Sequence, residues 1–310
     1  MSNLVDENPV QQLPTQGKPI SCNLCGADDY KVLFEAGVAQ ANRIVRCNKC
    51  ELIYANPRAN GADCESIVNW DPSWNLVERN QQRFAKERLQ VKDYGDTRKF
   101  LDQRHPDKGT IVEVGGGLGF LLSTFKNDGW NVLAVEPWLE ACRYAEAEFD
   151  IEAIPKTLED AALESNSAEA VIMLHVIEHV PDPVGTLSEI YRILKPGGYA
   201  IVETPRYDTM WFKMLGRRER SVSCDGHIYF FTSDTLQKSA EKAGLQLVQR
   251  KYVGRHLTLD RLAWNLGVVS KSKFIQKALS GISDKLALEK RTLCLNMGDM
   301  QRLYLRKPAV

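Results

Sequence analysis

Long apolar segments are missing from this chain, and no run approaches the roughly 20 residues that a membrane-spanning helix needs. The beginning of the chain lacks the basic, apolar and small-residue succession of a secretory signal. A net charge is missing as well, because 40 basic residues balance 40 acidic ones. These absences predict a cytoplasmic protein, and they argue against a broad basic footprint for DNA or RNA.

The composition is otherwise that of a globular protein, with 44% hydrophobic and 26% charged residues over 310 positions. That length predicts about two domains. Eight cysteines are present, and four of them form Cys-x-x-Cys pairs, which are Cys22 with Cys25 and Cys47 with Cys50. Pairs at this separation are typical of zinc bound by four thiolates, whereas the chain is too long for a small disulfide-linked secreted fold. The alternative is four reduced cysteines that bind no metal.

The segment 21–58 that carries these cysteines is predicted to be a zinc ribbon with short strands at 30–34 and 43–45. Such a small segment has too little apolar material to fold alone, so Zn²⁺ would contribute folding free energy. Because thiolates fill all four positions, we expect a structural metal with no open position for chemistry. The polar residues 1–20 in front of it predict a disordered tail.

The strongest signal lies at 110–120, where an apolar run enters a cluster of glycines. This pattern predicts a buried strand, a tight turn and the start of a helix. The glycines let the backbone adopt positive φ and approach a ligand closely, at positions Gly115, Gly117 and Gly119. A dinucleotide fingerprint would need glycine at position 120, which is Phe120, so that fingerprint fails. A second strand at 131–135 leads to Glu136, whose carboxylate suits a ribose diol.

These motifs resemble those of the class I S-adenosylmethionine-dependent methyltransferases. The family's glycine motif matches residues 113–120, with Gly116 where many members carry Cys, and Glu136 matches the ribose-binding acid. The resemblance implies a cofactor site formed by Glu113, Gly115, Gly116, Gly117, Gly119, Phe120, Glu136, Pro137, Glu159 and His175. Within it, Glu159 or the adjacent Asp160 would face the adenine amino group.

Later motifs extend the resemblance over about 108–251, through the phrases HVIEHVPDP and LKPGGYAIVETP. Strands and helices alternate here, which predicts right-handed βαβ units and a parallel sheet. The resemblance implies an α/β fold with a doubly wound, mostly parallel, seven-stranded Rossmann-like sheet whose last strand is antiparallel.

The chain is therefore expected to divide into consecutive segments around one catalytic core. A linker and bridging helix at 59–105 would follow the ribbon, and the core would occupy 106–254. Helical spacing at 255–292 predicts an inserted lid, with contact to a membrane surface as the alternative. Residues 293–310 would form the closing strand of the core.

Transfer of a methyl group to an alcohol needs a base or a metal at the acceptor oxygen. The catalytic candidates are His175, His179 and His227, and we expect His175 or His227 to be the general base. Glu178, His179 and His227 also resemble the divalent-metal residues of ubiquinone-pathway and small-RNA 2′-O-methyltransferases. Here His175 replaces the first Glu of that pattern, which argues against magnesium and favours a softer ion. The alternative is that Glu178 and His179 only order the loop.

The order of segments resembles bacterial methyltransferases of surface-polysaccharide and deoxysugar biosynthesis. This resemblance implies a small-molecule or sugar-linked acceptor, most simply a sugar hydroxyl, with a carbon of a nucleotide-linked ketosugar as the alternative. A basic stretch with Arg217, Arg218 and Arg220 would contact its phosphate or form a solvated loop. An RNA methyltransferase that uses the ribbon for recognition is one rival, and the neutral charge argues against it. A non-catalytic module with a degenerate cofactor site is the other, and the intact Glu113 and Glu136 argue against that.

Overall fold

The computed structural model describes residues 17–58, 88–219, 221–224, 226–258 and 292–309. Most of the predicted tail, of the linker with its bridging helix, and of the helical insertion therefore lies outside the described residues. No helix in the described ranges combines the length and the apolarity needed to cross a bilayer.

The described elements alternate between strands and helices along most of the chain. The strands are β1 (Tyr30–Phe34), β2 (Ile44–Cys47), β3 (Ile53–Ala55), β4 (Thr110–Val114), β5 (Asn131–Val135), β6 (Glu152–Ile154), β7 (Ala168–Leu174), β8 (Leu194–Pro205), β9 (Tyr229–Phe230), β10 (Gln246–Thr258) and β11 (Thr292–Arg306). The helices are α1 (Gly95–Arg104), α2 (Phe120–Asn127), α3 (Leu139–Phe149), α4 (Pro183–Ile193), α5 (Met210–Leu215) and α6 (Ser233–Lys242). Short 3₁₀ turns at Val91–Tyr94 and Gly216–Arg218 precede α1 and follow α5.

A seven-stranded sheet with the order β10-β11-β8-β7-β4-β5-β6 forms the centre of the protein. The strands β4 to β8 run parallel to one another, while β11 is antiparallel to both of its neighbours, β8 and β10. The predicted doubly wound fold with an antiparallel last strand is therefore confirmed. The order reverses beside β4, and the carboxyl ends of parallel strands at such a reversal are where open α/β sheets bind ligands.

The central strands β4, β7 and β8 of the large sheet are buried on both faces, and successive residues along them enter different cores. One core contains Val112, Val171 and Val202 together with Leu187 and Ile190 of α4. The other contains Ile111, Ile172 and Ile201 together with Phe100 of α1 and Phe125 of α2. Strands covered on both faces have no polar face, and this is why their sequences read as continuous apolar runs.

A second, smaller sheet has four antiparallel strands in the order β1-β2-β3-β9. The first three come from the predicted ribbon, and β1 coincides with the expected strand at 30–34. The fourth comes from far along the chain, where Phe230 pairs with Ile53 and Tyr229 with Tyr54. The ribbon's sheet is thus completed by a strand that follows β8, and the sequence did not predict this.

Two predicted boundaries differ from the structure. Order begins before residue 21, because Lys18 bridges to Arg58 and the amide of Ile20 donates to Asn56 Oδ1 at 3.0 Å. The helical insertion was predicted to begin at residue 255, and this start is too early. Strand β10 continues to Thr258, which pairs with Thr292 at the start of β11. In each case long-range pairing, which local composition does not show, orders the backbone.

Candidate functional site

The glycine turn after β4 has the predicted strand, turn and helix geometry. Gly115, Gly117 and Gly119 have φ of 73°, 52° and 81°, in the region that side chains disfavour. A Cβ on Gly115 would lie 2.3 Å from Val176 Cγ2, and one on Gly119 would lie 2.9 Å from Ala145 Cβ. Glycine is therefore required at both positions, and the turn presents bare backbone at the ligand-binding edge of the sheet.

Glu136 follows β5 and lies directly beside this turn. One of its carboxylate oxygens accepts from the amide of Gly117 at 2.9 Å, and the other accepts from the amide of Trp138 at 3.1 Å. Pro137 lies between Glu136 and Trp138 in the sequence. The carboxylate is thus fixed at the tip of the strand next to β4, as a ribose-binding acid would require. Glu113, at the end of β4, is buried.

The remaining predicted cofactor residues lie at the same edge of the sheet or close to it. Phe120 begins α2 and packs edge-on against Phe149, with ring centroids 5.2 Å apart. Glu159 follows β6, and its carboxylate accepts from Thr186 Oγ1 of α4 at 2.5 Å. This contact ties the loop after β6 to α4, whereas Asp160 bonds within its own loop to Thr157.

His175 follows β7 with a φ of 58° and lies between two buried carboxylates. Its Nε2 is 3.3 Å from Glu203 Oε1, and its Nδ1 is 3.7 Å from Glu178 Oε1. Burial alone would lower the pKa of His175, but the two carboxylates outweigh it and raise that pKa to about 9. At neutral pH this imidazole is therefore protonated, and it serves as the counter-ion of both acids.

Glu203 is also paired with Arg302, a wholly buried residue of β11. Arg302 Nε donates to Glu203 Oε2 at 2.6 Å, and Arg302 Nη1 donates to Thr97 Oγ1 at 3.0 Å. Sequence reasoning missed this pair. The sequence did carry a signal for it: Glu203 and Arg302 are charged residues within strands that are otherwise mostly apolar, and a charge in such a strand indicates a buried ion pair.

Glu178, which faces His175, also forms a compact cluster with His179 and His227. One ligand atom from each lies within 4.8 Å of the others. The two histidine rings meet edge to face with centroids 4.7 Å apart, and His179 Nδ1 is 2.8 Å from the carbonyl of Gly226. The structure therefore brings together three residues that the sequence singled out over a separation of 49 positions, from 178 to 227.

Two backbone hydrogen bonds hold His227 close to Glu178 in this cluster. The amides of Ile228 and Tyr229 both donate to the carbonyl of Glu178, at 2.9 and 3.1 Å. Burial is the main reason that the pKa of His227 falls to about 4, so its ring is neutral at physiological pH. The pKa of Glu178 falls to about 2: burial would raise it, but His175 and the other two histidines outweigh that effect.

The four ribbon cysteines also converge. Their sulfurs lie within 4.8 Å of one another, with Cys22 Sγ 3.4 Å from Cys50 Sγ and Cys25 Sγ 3.5 Å from Cys47 Sγ. Tetrahedral zinc with bonds of about 2.3 Å places its sulfurs about 3.8 Å apart, so the donor set fits that ion. Gly26 closes the first knuckle with a φ of 74° and a bond from its amide to the carbonyl of Cys22.

The knuckles touch the large sheet's helices close to the histidine cluster. Asn23 Nδ2 donates to Asp182 Oδ1 at 2.6 Å, and the amide of Val184 donates to Asn23 Oδ1 at 3.1 Å. These bonds hold the N-terminus of α4. Gln40 Nε2 also donates to the carbonyl of His227 at 3.1 Å. The ribbon is therefore part of the wall around the cluster.

The strand order and the glycine turn are those of a Rossmann-like methyltransferase fold. A family model described as "Methyltransferase domain" matches residues 58–250, and the chain belongs to that family.

Curated relatives are similar over about half of the chain. Over 158 residues it is 32% identical to 2-methyl-6-phytyl-1,4-hydroquinone methyltransferase of Arabidopsis thaliana, covering 49% of this chain and 44% of the relative. Over 153 residues it is 26% identical to ubiquinone biosynthesis O-methyltransferase of Cupriavidus pinatubonensis, covering 46% and 61%. The chain thus spans less than two thirds of the length of these relatives.

Solved methyltransferases share the fold. In the complex of the Haloferax volcanii Trm112 activator with its methyltransferase, one chain superposes with a TM-score of 0.50 at 17% identity. The match covers 75% of this chain and 96% of that one. A methyltransferase of Thermotoga maritima gives a TM-score of 0.47 at 20% identity, with the same two coverages.

Proposed function

We propose that this enzyme methylates an oxygen atom of a small-molecule acceptor, and that the acceptor is a sugar hydroxyl. The observation that carries the proposal is the buried cluster of Glu178, His179 and His227 at the ligand-binding edge of the sheet. A hydroxyl acceptor needs help in losing its proton, whereas an amine does not. A buried neutral imidazole beside a carboxylate provides that help.

The cofactor would lie across the strand tips at the glycine turn. Bound S-adenosylmethionine supplies an electrophilic methyl group. The turn at Gly115–Gly119 offers glycine backbone to the ligand, since its one side chain, that of Leu118, is buried in the core, and Glu136 presents an anchored carboxylate to the ribose hydroxyls. These residues fit a nucleoside, because the glycines leave room where the sugar would pass.

We assign the general base to His227 rather than to His175. Glu178 and Glu203 hold the proton of His175 with a pKa near 9, so at neutral pH its ring has no free lone pair for an acceptor. His227 is neutral, and the adjacent Glu178 carboxylate would stabilise its protonated form. His227 would take the hydroxyl proton, while His175 keeps Glu178 ionised.

A second candidate is a divalent metal held by Glu178, His179 and His227. It is favoured by the spacing, since the three ligand atoms lie within 4.8 Å of one another. Two imidazoles with one carboxylate suit zinc, iron or another soft ion better than magnesium. A metal would then lower the pKa of the acceptor hydroxyl, with His227 as a ligand in place of a base.

We further propose that Cys22, Cys25, Cys47 and Cys50 hold a structural Zn²⁺. The sulfur spacing and the positions of the two knuckles support this, and four thiolates leave no open coordination position.

The relatives' names support a small molecule over RNA, because they specify a hydroquinone substrate and ubiquinone biosynthesis. A quinol hydroxyl is accordingly the rival small acceptor. RNA methylation and a non-catalytic module remain the alternative outcomes.

The test is methyl transfer from labelled S-adenosylmethionine to nucleotide sugars, quinols and RNA, with cofactor binding measured separately by calorimetry. His227→Ala should lower kcat by about a hundredfold or more, as expected for a lost base, and leave cofactor affinity unchanged. His105→Gln, a histidine outside the cluster, is the matched control and should retain turnover. Full activity of His227→Ala would overturn the proposed base, and transfer to RNA alone would overturn the acceptor class. Bound metal removed by His179→Ala would favour the metal candidate.

A further inference from the structure

Among the α-helices of the described residues, α5 is the one with no buried residue. Its outer face carries Met210 and Met214, one turn apart and exposed by 67% and 68%, with Trp211 and Leu215 beside them. Phe212 points the other way and packs edge-on against Tyr207, with ring centroids 5.6 Å apart. The helix is thus anchored on one side and presents a continuous apolar face on the other.

A second exposed apolar strip adjoins this face. Beyond the last pair with β8, where Met300 lies opposite Pro205, strands β10 and β11 continue as a two-stranded extension. This extension carries exposed Leu293, Leu295 and Met297 at alternate positions, and residues 292–298 contain no charged side chain. Trp211 Nε1 donates to the carbonyl of Met297 at 3.2 Å, which joins the two strips.

The exposed charges on α5 and in the turn just after it are basic, and of the acids nearest the two strips Asp208 pairs with Arg206 and Asp299 is half-buried. Lys213, Arg217 and Arg218 are exposed on or just after α5. The one acid in this stretch is Glu219, and it accepts from the amides of Ser221 and Val222 in its own turn. An exposed apolar helix face with tryptophan and flanking cations is the pattern of interfacial helices that bind anionic lipid.

The position of the surface relates it to catalysis. Helix α5 begins five residues after β8 ends, and the β10–β11 extension passes the same edge of the sheet. Tyr207, against which Phe212 packs, also places its hydroxyl 3.4 Å from His227 Nδ1. The apolar surface therefore borders the mouth of the site.

We propose that this surface docks on the face of an anionic lipid bilayer. It consists of Met210, Trp211, Met214, Leu215, Leu293, Leu295 and Met297, with Lys213, Arg217 and Arg218 at its margin. The apolar side chains enter the boundary between headgroups and acyl chains, and the cations meet the lipid phosphates. Docking turns the ligand-binding edge of the sheet toward the membrane. Membrane contact was the alternative to a lid in the prediction for 255–292, most of which lies outside the described residues, and the sequence did not predict this role for α5.

The test is co-sedimentation of the full-length protein with vesicles, which requires no methyl acceptor and so does not depend on the proposed function. Vesicles of equal parts phosphatidylcholine and phosphatidylglycerol should bind the protein, and phosphatidylcholine vesicles should bind it at least about tenfold more weakly. Salt should release it, because the cations are screened.

Two variants separate the apolar and the charged contributions. Met210→Ser/Met214→Ser/Leu215→Ser and Lys213→Glu/Arg217→Glu/Arg218→Glu should each reduce vesicle binding by about tenfold or more. Val32→Ser/Val38→Ser removes two exposed apolar residues from the ribbon and should bind as the wild type does. Circular dichroism and cofactor binding should be unchanged in all three. Wild-type binding by the first two variants would overturn the proposal. Absence of vesicle binding by the wild type would overturn it as well. A dimer that the serine variant dissociates would then show that a second copy covers the surface.

Discussion

The two sheets of this protein are stabilised in different ways. The large sheet has strands of up to 15 residues, and its central strands β4, β7 and β8 are buried on both faces between two apolar cores. The small sheet has strands of two to five residues, and its edge strand β9 comes from the chain that follows β8. We expect the first to hold its shape through burial alone, and the second to depend also on the four sulfurs of the proposed zinc site and on contacts with its larger neighbour. His227 lies where the two meet, because β9 begins two residues after it.

This contrast predicts which substitutions affect only one sheet and which lower the stability of the whole protein. Loss of the sulfur cluster should disorder the small sheet and the His227 wall while the large sheet survives. Loss of a buried group in the large sheet should lower the stability of the whole protein.

The largest effect is expected from Cys22→Ser/Cys47→Ser, which removes one ligand from each knuckle. Structural zinc supplies on the order of 10 kcal/mol of folding free energy in small metal-dependent domains. We expect the variant to lose zinc by mass spectrometry, to become protease-sensitive within 21–58, and to lose methyl transfer. Cofactor affinity, which depends on the large sheet, should persist. A variant that keeps an ordered ribbon would contradict the contrast.

Arg302→Ala should have the next largest effect, and on the other sheet. It removes the group that donates to the buried Glu203 carboxylate at 2.6 Å and leaves His175 as its counter-ion, and breaking a buried ion pair typically costs about 3–5 kcal/mol. Arg306→Ala, at the exposed end of the same strand, is the matched control and should cost less than about 1 kcal/mol. Denaturant unfolding measures both, and zinc content should be unchanged. Equal stability of the two variants would show that the ion pair contributes nothing.

Asn23→Ala should have a smaller effect, confined to the junction. It removes two hydrogen bonds to the start of α4, at about 1 kcal/mol each. Asn48 makes a bond of the same length to Asp29 inside the ribbon, so Asn48→Ala is a matched control. We expect lower kcat for Asn23→Ala with zinc and cofactor binding intact, and nearly wild-type kcat for Asn48→Ala. The same kcat in both variants would mean that the junction does not position the cluster.

The sequence predicted the large sheet and most of the candidate site because both are encoded by patterns of neighbouring residues. Apolar runs that end on glycines, and acids at strand tips, identify strand ends without knowledge of the partner strand. The cluster of Glu178, His179 and His227 was predictable for the same reason, since two of its members share one motif.

What the sequence did not show are the features that depend on distant pairing. Strand β9 has two residues, too few for any periodicity. The pairing of Glu203 with Arg302 joins positions 99 residues apart. The exposed face of α5 is apolar, and composition alone would have assigned it to the core. In each case tertiary contact decides the outcome over local preference.

The central claim is that a nucleoside cofactor lies across the tips of the large sheet with its ribose on Glu136. Titration calorimetry with S-adenosylmethionine, comparing the wild type with Glu136→Gln and Glu140→Gln, tests it most directly. We predict saturable binding by the wild type and by Glu140→Gln, which alters an acid of α3 that pairs with Arg143. For Glu136→Gln we predict affinity weaker by about tenfold or more, because a ligand hydrogen bond to a charged group is lost. Equal affinity in all three proteins, or no binding by the wild type, would contradict the account.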